Sequence, residues 1–165
     1  MLIDTFREQW RGLTQLDQQI DAIESRLRQW MHTDAKAKAI AEIPGVGLLT
    51  ATAAVAAMGD AKVLKSGREF AAWLGLVSRQ TGSGGKINLH GISRRGDADL
   101  RTLLIHGARA VYYCRSETCP WLVQVSQRRA KNVVIVAQAN KIVRTIWAVL
   151  VREQAYQANH ISIRP

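Results

Sequence analysis

Residues 75–97 read GLVSRQTGSGGKINLHGISRRGD, and the fold turns on this stretch. Glycines stand at positions 75, 82, 84, 85, 91 and 96. They are too closely spaced for a helix, because glycine loses the most conformational freedom on joining one. The sequence on both sides has helical periodicity. The spacing therefore predicts an all-α chain interrupted by a glycine-rich basic loop, with room for a short β-hairpin inside it. Arg79, Lys86, Arg94 and Arg95 lie between the glycines, and no acid precedes Asp97. A cationic loop of this kind suits phosphate: its amides can form an anion-binding nest and its side chains can neutralise charge. Ser83 sits between Gly82 and Gly84, where a hydroxyl could approach a substrate unobstructed. Glycine-flanked serines also serve ordinary turns, and solvated charges are common on surface loops, so composition leaves both readings open.

Working outward toward the N-terminus, Ser66-Gly67-Arg68-Glu69 has the pattern of a capping box, which places a short helix over Gly67–Leu74 with Phe70, Trp73 and Leu74 in the core. Before it comes Ile43-Pro44-Gly45-Val46-Gly47, between a helix over Ala35–Glu42 and an alanine-rich helix over Leu48–Met58 that closes at Gly59. Helix, PGVG, helix has the outline of a helix-hairpin-helix motif, in which Gly45, Val46 and Gly47 would offer backbone amides to a DNA phosphate. A tight αα-turn with no ligand has the same outline. Residues 3 to about 33 form the first helix. Its apolar positions Leu13, Leu16, Ile20, Ile23, Leu27 and Trp30 follow a heptad rhythm, with Phe6 and Trp10 ahead of them. So narrow a seam favours a coiled coil between protomers over packing on the chain's own domain.

Toward the C-terminus, Asp97 caps a helix to about Arg115, with Leu100, Leu103, Leu104, Ala108 and Val111 inward and Arg101 and Arg109 on another face. Arg101 joins the candidate DNA-binding cations. Pro120 starts a short helix to about Arg129. Asn132 opens a last helix to about Tyr156, with Val133, Val136, Ile142, Ile146, Val149 and Leu150 inward. The expected division is a coiled-coil helix (1–34), a helical domain (35–158) and a tail (159–165).

The formal charge of +10 and pI near 10.3 point to nucleic acid first and an anionic membrane surface second. Val133–Ala137 is the most apolar short run, and the acid-interrupted N-terminus MLIDTFREQW does not resemble a signal peptide. The expectation is a cytoplasmic protein with no membrane partner. Cys114 and Cys119 lack a CxxC or His/Cys setting and read as free thiols. Asp97 and Asp99 read as capping acids rather than a metal pair, and His32, His90, His106 and His160 show no metal spacing. No cofactor is expected in this chain.

The order of motifs is more specific than any one of them. IPGVGLLTATAAVAAMGD (43–60), FAAWLGL (70–76), SRQTGSGGK (78–86) and GISRRGDADLRTLLIHGARA (91–110) together resemble the C-terminal transposase domain of one insertion-sequence family, that of elements one-ten, one-sixteen and nine-zero-two. The likeness covers about residues 40–112. It implies DEDD-type, RNA-guided DNA recombination through a serine that becomes joined to DNA. That role falls on Ser83, and the family's basic turn falls on Gly91–Gly96. Ser78 stands where the family usually has proline. Full members begin with a RuvC-like domain whose acids bind Mg²⁺. By this resemblance the chain is a truncated or separately encoded C-terminal portion, and its partners are DNA, a guide RNA, a second copy of itself and a separate RuvC-like chain. The rival expectations are a non-catalytic nucleic-acid-binding module or inactive remnant, and a dimeric adaptor whose charge only aids solubility.

Overall fold

A computed structural model describes residues 2–115 and 119–158; the expected tail, 159–165, lies outside them. The described residues are 69% helical, with seven α-helices and one two-stranded sheet, which agrees with a mostly all-α chain. The helices are α1 (Leu2–Thr33), α2 (Ala35–Ala41), α3 (Leu48–Met58), α4 (Gly67–Trp73), α5 (Ala98–Arg115), α6 (Pro120–Ser126) and α7 (Lys131–Arg152). The glycine-rich stretch forms an antiparallel hairpin, β1 (Ser78–Ser83) and β2 (Lys86–Ile92).

Helix α7 is the centre of the core. It packs against α5 and α4, and also touches α2 and α6. Val134, Ile135, Ala139, Ile142, Val143, Ile146, Val149 and Leu150 are its buried apolar positions. The inward face begins one residue later than expected: Val133 is 53% exposed and Val134 is fully buried. The helix ends at Arg152 rather than near Tyr156, because Glu153 adopts a left-handed conformation (φ 53°) that breaks the hydrogen-bond ladder. By length and composition α7 could cross a membrane, a property that the short run Val133–Ala137 alone does not reveal. Its apolar side is the side buried against the other helices.

Local sequence signals place the short elements. Asp34 caps α2 by accepting from the Ala37 amide at 2.8 Å. Asp97 caps α5 by accepting from the Asp99 and Leu100 amides, both at 2.9 Å. Ser66 accepts from the Glu69 amide, but the Glu69 carboxylate reaches back to the Lys65 amide rather than that of Ser66, so the box closes one residue early. On α4, Phe70 and Leu74 are fully buried while Trp73 is 44% exposed. The i and i+4 positions take the inward face, and Trp73 lies at its edge, stacked on Phe70.

Helix α1 contains no buried residue. Among the described residues it meets the rest of the molecule mainly through α2 and α3, with Met31 near its C-terminal end against the core. Leu13, Leu16, Ile20 and Ile23 are between 49% and 56% exposed. In the PGVG turn, Gly45 has φ 88° and lies against Gly107 of α5, so close that a Cβ on Gly107 would stand 1.9 Å from the Gly45 carbonyl oxygen.

Candidate nucleic-acid interface

The hairpin turns through Gly84 and Gly85, whose φ angles of 57° and 81° fit the primed turns that match strand twist. Its register pairs Ser83 with Lys86, Gly82 with Ile87, Thr81 with Asn88 and Gln80 with Leu89; an irregularity follows, and Ser78 pairs with Ile92. Alternation then sorts the side chains. One face carries Arg79, Thr81, Ser83, Lys86, Asn88 and His90. The other carries Gln80, Gly82, Ile87 and Leu89. Every residue from Val77 to Gly91 is exposed. Ser83 and its cross-strand partner Lys86 therefore stand side by side at an open tip, on a face with no carboxylate. Thr81 Oγ1 and His90 Nε2 lie 2.6 Å apart on that same face.

A two-stranded hairpin alone is marginal in water, so its root matters. Ser93 donates to the Val77 carbonyl at 2.9 Å and Arg94 to the Gly75 carbonyl at 3.2 Å. Asn140 of α7 reaches the Leu76 carbonyl at 3.3 Å. Arg101, expected among the DNA-binding cations, instead gathers carbonyls: its Nη1 donates to Leu74 at 3.1 Å, to Arg95 at 3.0 Å and, more weakly, to Asp97 at 3.5 Å. The chain doubles back here, those oxygens converge, and a fixed guanidinium satisfies them. Arg94 and Arg95 remain exposed beside this root, and Arg94 is held at a left-handed φ of 56°, a costly conformation for a non-glycine residue.

The PGVG turn is placed differently. Val46 is 5% exposed and its amide donates to Ile43, while Gly45 is pressed on α5. Only Gly47 is exposed, at the N-terminus of α3, which has no side-chain cap. The structure thus gathers Arg79, Ser83 and Lys86 on one hairpin face, sets Arg94 and Arg95 at its root, and turns Val46 and the Arg101 guanidinium to structural duty. Asn88 and His90 join the Ser83 face, although neither stood among the candidate site residues. Their signal is present in KINLHGI, where Lys86, Asn88 and His90 alternate with Ile87 and Leu89.

Residues 37–120 match the model of the Transposase IS116/IS110/IS902 family. Among known proteins, the chain is 44% identical over 158 residues to a probable family 20 transposase of Pseudomonas aeruginosa, covering 93% of the chain and 47% of that protein. It is 41% identical over 145 residues to the transposase for insertion sequence element IS1111A of Coxiella burnetii, covering 86% and 40%. It is 28% identical over 152 residues to a pilin gene-inverting protein of Moraxella bovis, covering 89% and 46%. The chain spans a little under half the length of these relatives.

Proposed function

The chain belongs to the IS116/IS110/IS902 transposase family, and from that membership we propose that it is the DNA-handling portion of a transposase, with Ser83 as the nucleophile of strand exchange. The observation that carries the reading is the pairing of Ser83 with Lys86 at an exposed, acid-free hairpin tip. In the proposed step the Ser83 Oγ–phosphorus bond forms as a backbone phosphorus–oxygen bond breaks, and the proton lost by the serine passes to the departing sugar hydroxyl. Lys86 and Arg79 flank the attack, and Arg94 and Arg95 hold neighbouring phosphates, where fixed cations stabilise developing charge.

Ser83 Oγ has no hydrogen-bond partner among the described residues, and no three His, Cys, Asp or Glu side chains gather among them. The residues present do not fit a divalent metal, so no step is routed through one. This supports activation of the serine by protein beyond this chain, a RuvC-like portion in the same or a separate polypeptide; a guide RNA is proposed as a further partner on the family resemblance alone. It equally favours the second reading, a portion that binds DNA without cutting it.

Two measurements test the binding and assembly. Arg94→Ala with Arg95→Ala should weaken binding to all duplex sequences and flatten the salt dependence by about one unit of slope for each phosphate no longer neutralised. A slope equal to wild type would leave these arginines facing solvent. Residues 1–34 are proposed to pair protomers, and 35–158 to form the DNA-handling domain. Leu16→Asp with Ile23→Asp puts charge into the proposed seam and should convert a dimer to a monomer in sedimentation. A wild type already monomeric at high concentration would remove the seam.

A further inference from the structure

Behind the hairpin, on the side opposite Ser83, lies an open groove of about 1280 Å³. Its walls are the outer side of α7 as far as Arg152, the start of α4, the Gln80 and Leu89 face of the hairpin, and residues 154–158 after α7. None of Arg79, Thr81, Ser83, Lys86, Asn88 or His90 lines it. Arg68, Lys141, Arg144 and Arg152 do, and among the described residues no aspartate or glutamate does. The acids next to Arg68 and Arg152 in sequence have places of their own. Glu69 is held by the Lys65 amide, and Glu153 sits in its left-handed turn outside the lining. None of the four cations has a carboxylate within salt-bridge distance among the described residues. Lys141 is steadied over the Trp121 ring, 4.8 Å from its centroid. Trp121 and Tyr156 line the groove half-buried.

Four cations with no carboxylate partner among the described residues favour an anionic occupant. The volume exceeds the roughly 300–1,000 Å³ of small-molecule sites, which favours a polymer. The aromatic and apolar walls, including Leu89, favour one that brings flat apolar faces with its charge. A single nucleic-acid strand has that chemistry: phosphates for the cations and unpaired bases for stacking, which a duplex conceals. We propose that this groove is a second nucleic-acid site, for a single-stranded segment, separate from the duplex-facing Ser83 surface. It rests on the reading that the chain handles nucleic acid.

The test uses the whole chain with fluorescent oligo(dT), oligo(U) and a DNA duplex of equal length. Lys141→Glu with Arg144→Glu should lower affinity for a single strand at least tenfold and for duplex by less than threefold. Arg94→Ala with Arg95→Ala should do the reverse. The larger loss on oligo(dT) or on oligo(U) identifies whether DNA or RNA is the source. Should the charge reversal disturb folding, ultraviolet cross-linking of either oligonucleotide to the wild type supplies the independent readout, with adducts expected on peptides carrying Trp121 or Tyr156. Equal losses on single strand and duplex, or cross-links confined to other peptides, would overturn the groove. Failure of the wild type to bind any nucleic acid would overturn the functional reading itself.

Discussion

Gly107→Ala should destabilise the chain by about 3 kcal/mol, the upper range for overpacking a tight contact, and lower the melting temperature by roughly 10 °C for a domain this size. The added methyl would stand 1.9 Å from the Gly45 carbonyl oxygen and 2.9 Å from its carbon. Both are backbone atoms, so no side-chain rotation relieves the clash. Gly45 cannot yield easily either, since its own φ of 88° suits glycine and its space is bounded by Gly107 and Val111. The helix α5 must part from the PGVG turn, separating Val46 and Leu104 from a shared core. The control is Gly12→Ala in α1, where a Cβ meets nothing within 4 Å. That change should raise helix stability by up to about 1 kcal/mol. Thermal unfolding by circular dichroism measures both. A Gly107→Ala protein melting with wild type would mean that the turn does not rest on α5 in solution.

The packing of Gly45 on Gly107 also marks where the sequence could be read and where it could not. Capping residues announced themselves at Ser66 and Asp97, because each acts on amides two or three residues away. The start of α3 after Gly47 and its end at Gly59 followed from the same local rules. The PGVG turn was ambiguous for the opposite reason. Glycine at 45 is compatible with a nearby phosphate or a nearby helix, and its packing on Gly107 is a long-range contact that local sequence does not show. Arg101 is similar: a cation in a basic stretch resembles a phosphate ligand until the carbonyls of Leu74 and Arg95 are seen to converge on it. The two faces of the hairpin were legible in the alternation of KINLHGI, but the density of glycines suggests a loop and masks the period of two. The groove was not legible, since Arg68 lies far along the chain from Lys141, Arg144 and Arg152 of α7.

The largest effect is expected at Ser83. The chain should be joined, in cis or as a separate polypeptide, to the portion by which its relatives exceed it. It should then form a covalent adduct with labelled DNA that survives denaturing electrophoresis. Ser83→Ala should reduce that adduct by at least about a thousandfold, as removal of a nucleophile does in enzymes that depend on one. Duplex binding should change little, by about 0.5 kcal/mol or less, because one exposed hydroxyl is removed and the cations remain. Two other hydroxyls serve as controls. Ser78 is on the same strand, but alternation puts it on the opposite face, against the groove. Ser93 sits at the root, where its amide holds the Val77 carbonyl. Neither Ser78→Ala nor Ser93→Ala should remove the adduct. Lys86→Ala should slow its formation while leaving the site of attachment unchanged, since Lys86 is the cross-strand partner of Ser83 and contributes charge rather than the reacting oxygen. Adduct that persists in Ser83→Ala, or that mass spectrometry places on another residue, would exclude Ser83 as nucleophile. If the wild type forms none with the added portion present, binding without strand cleavage becomes the function of this fold.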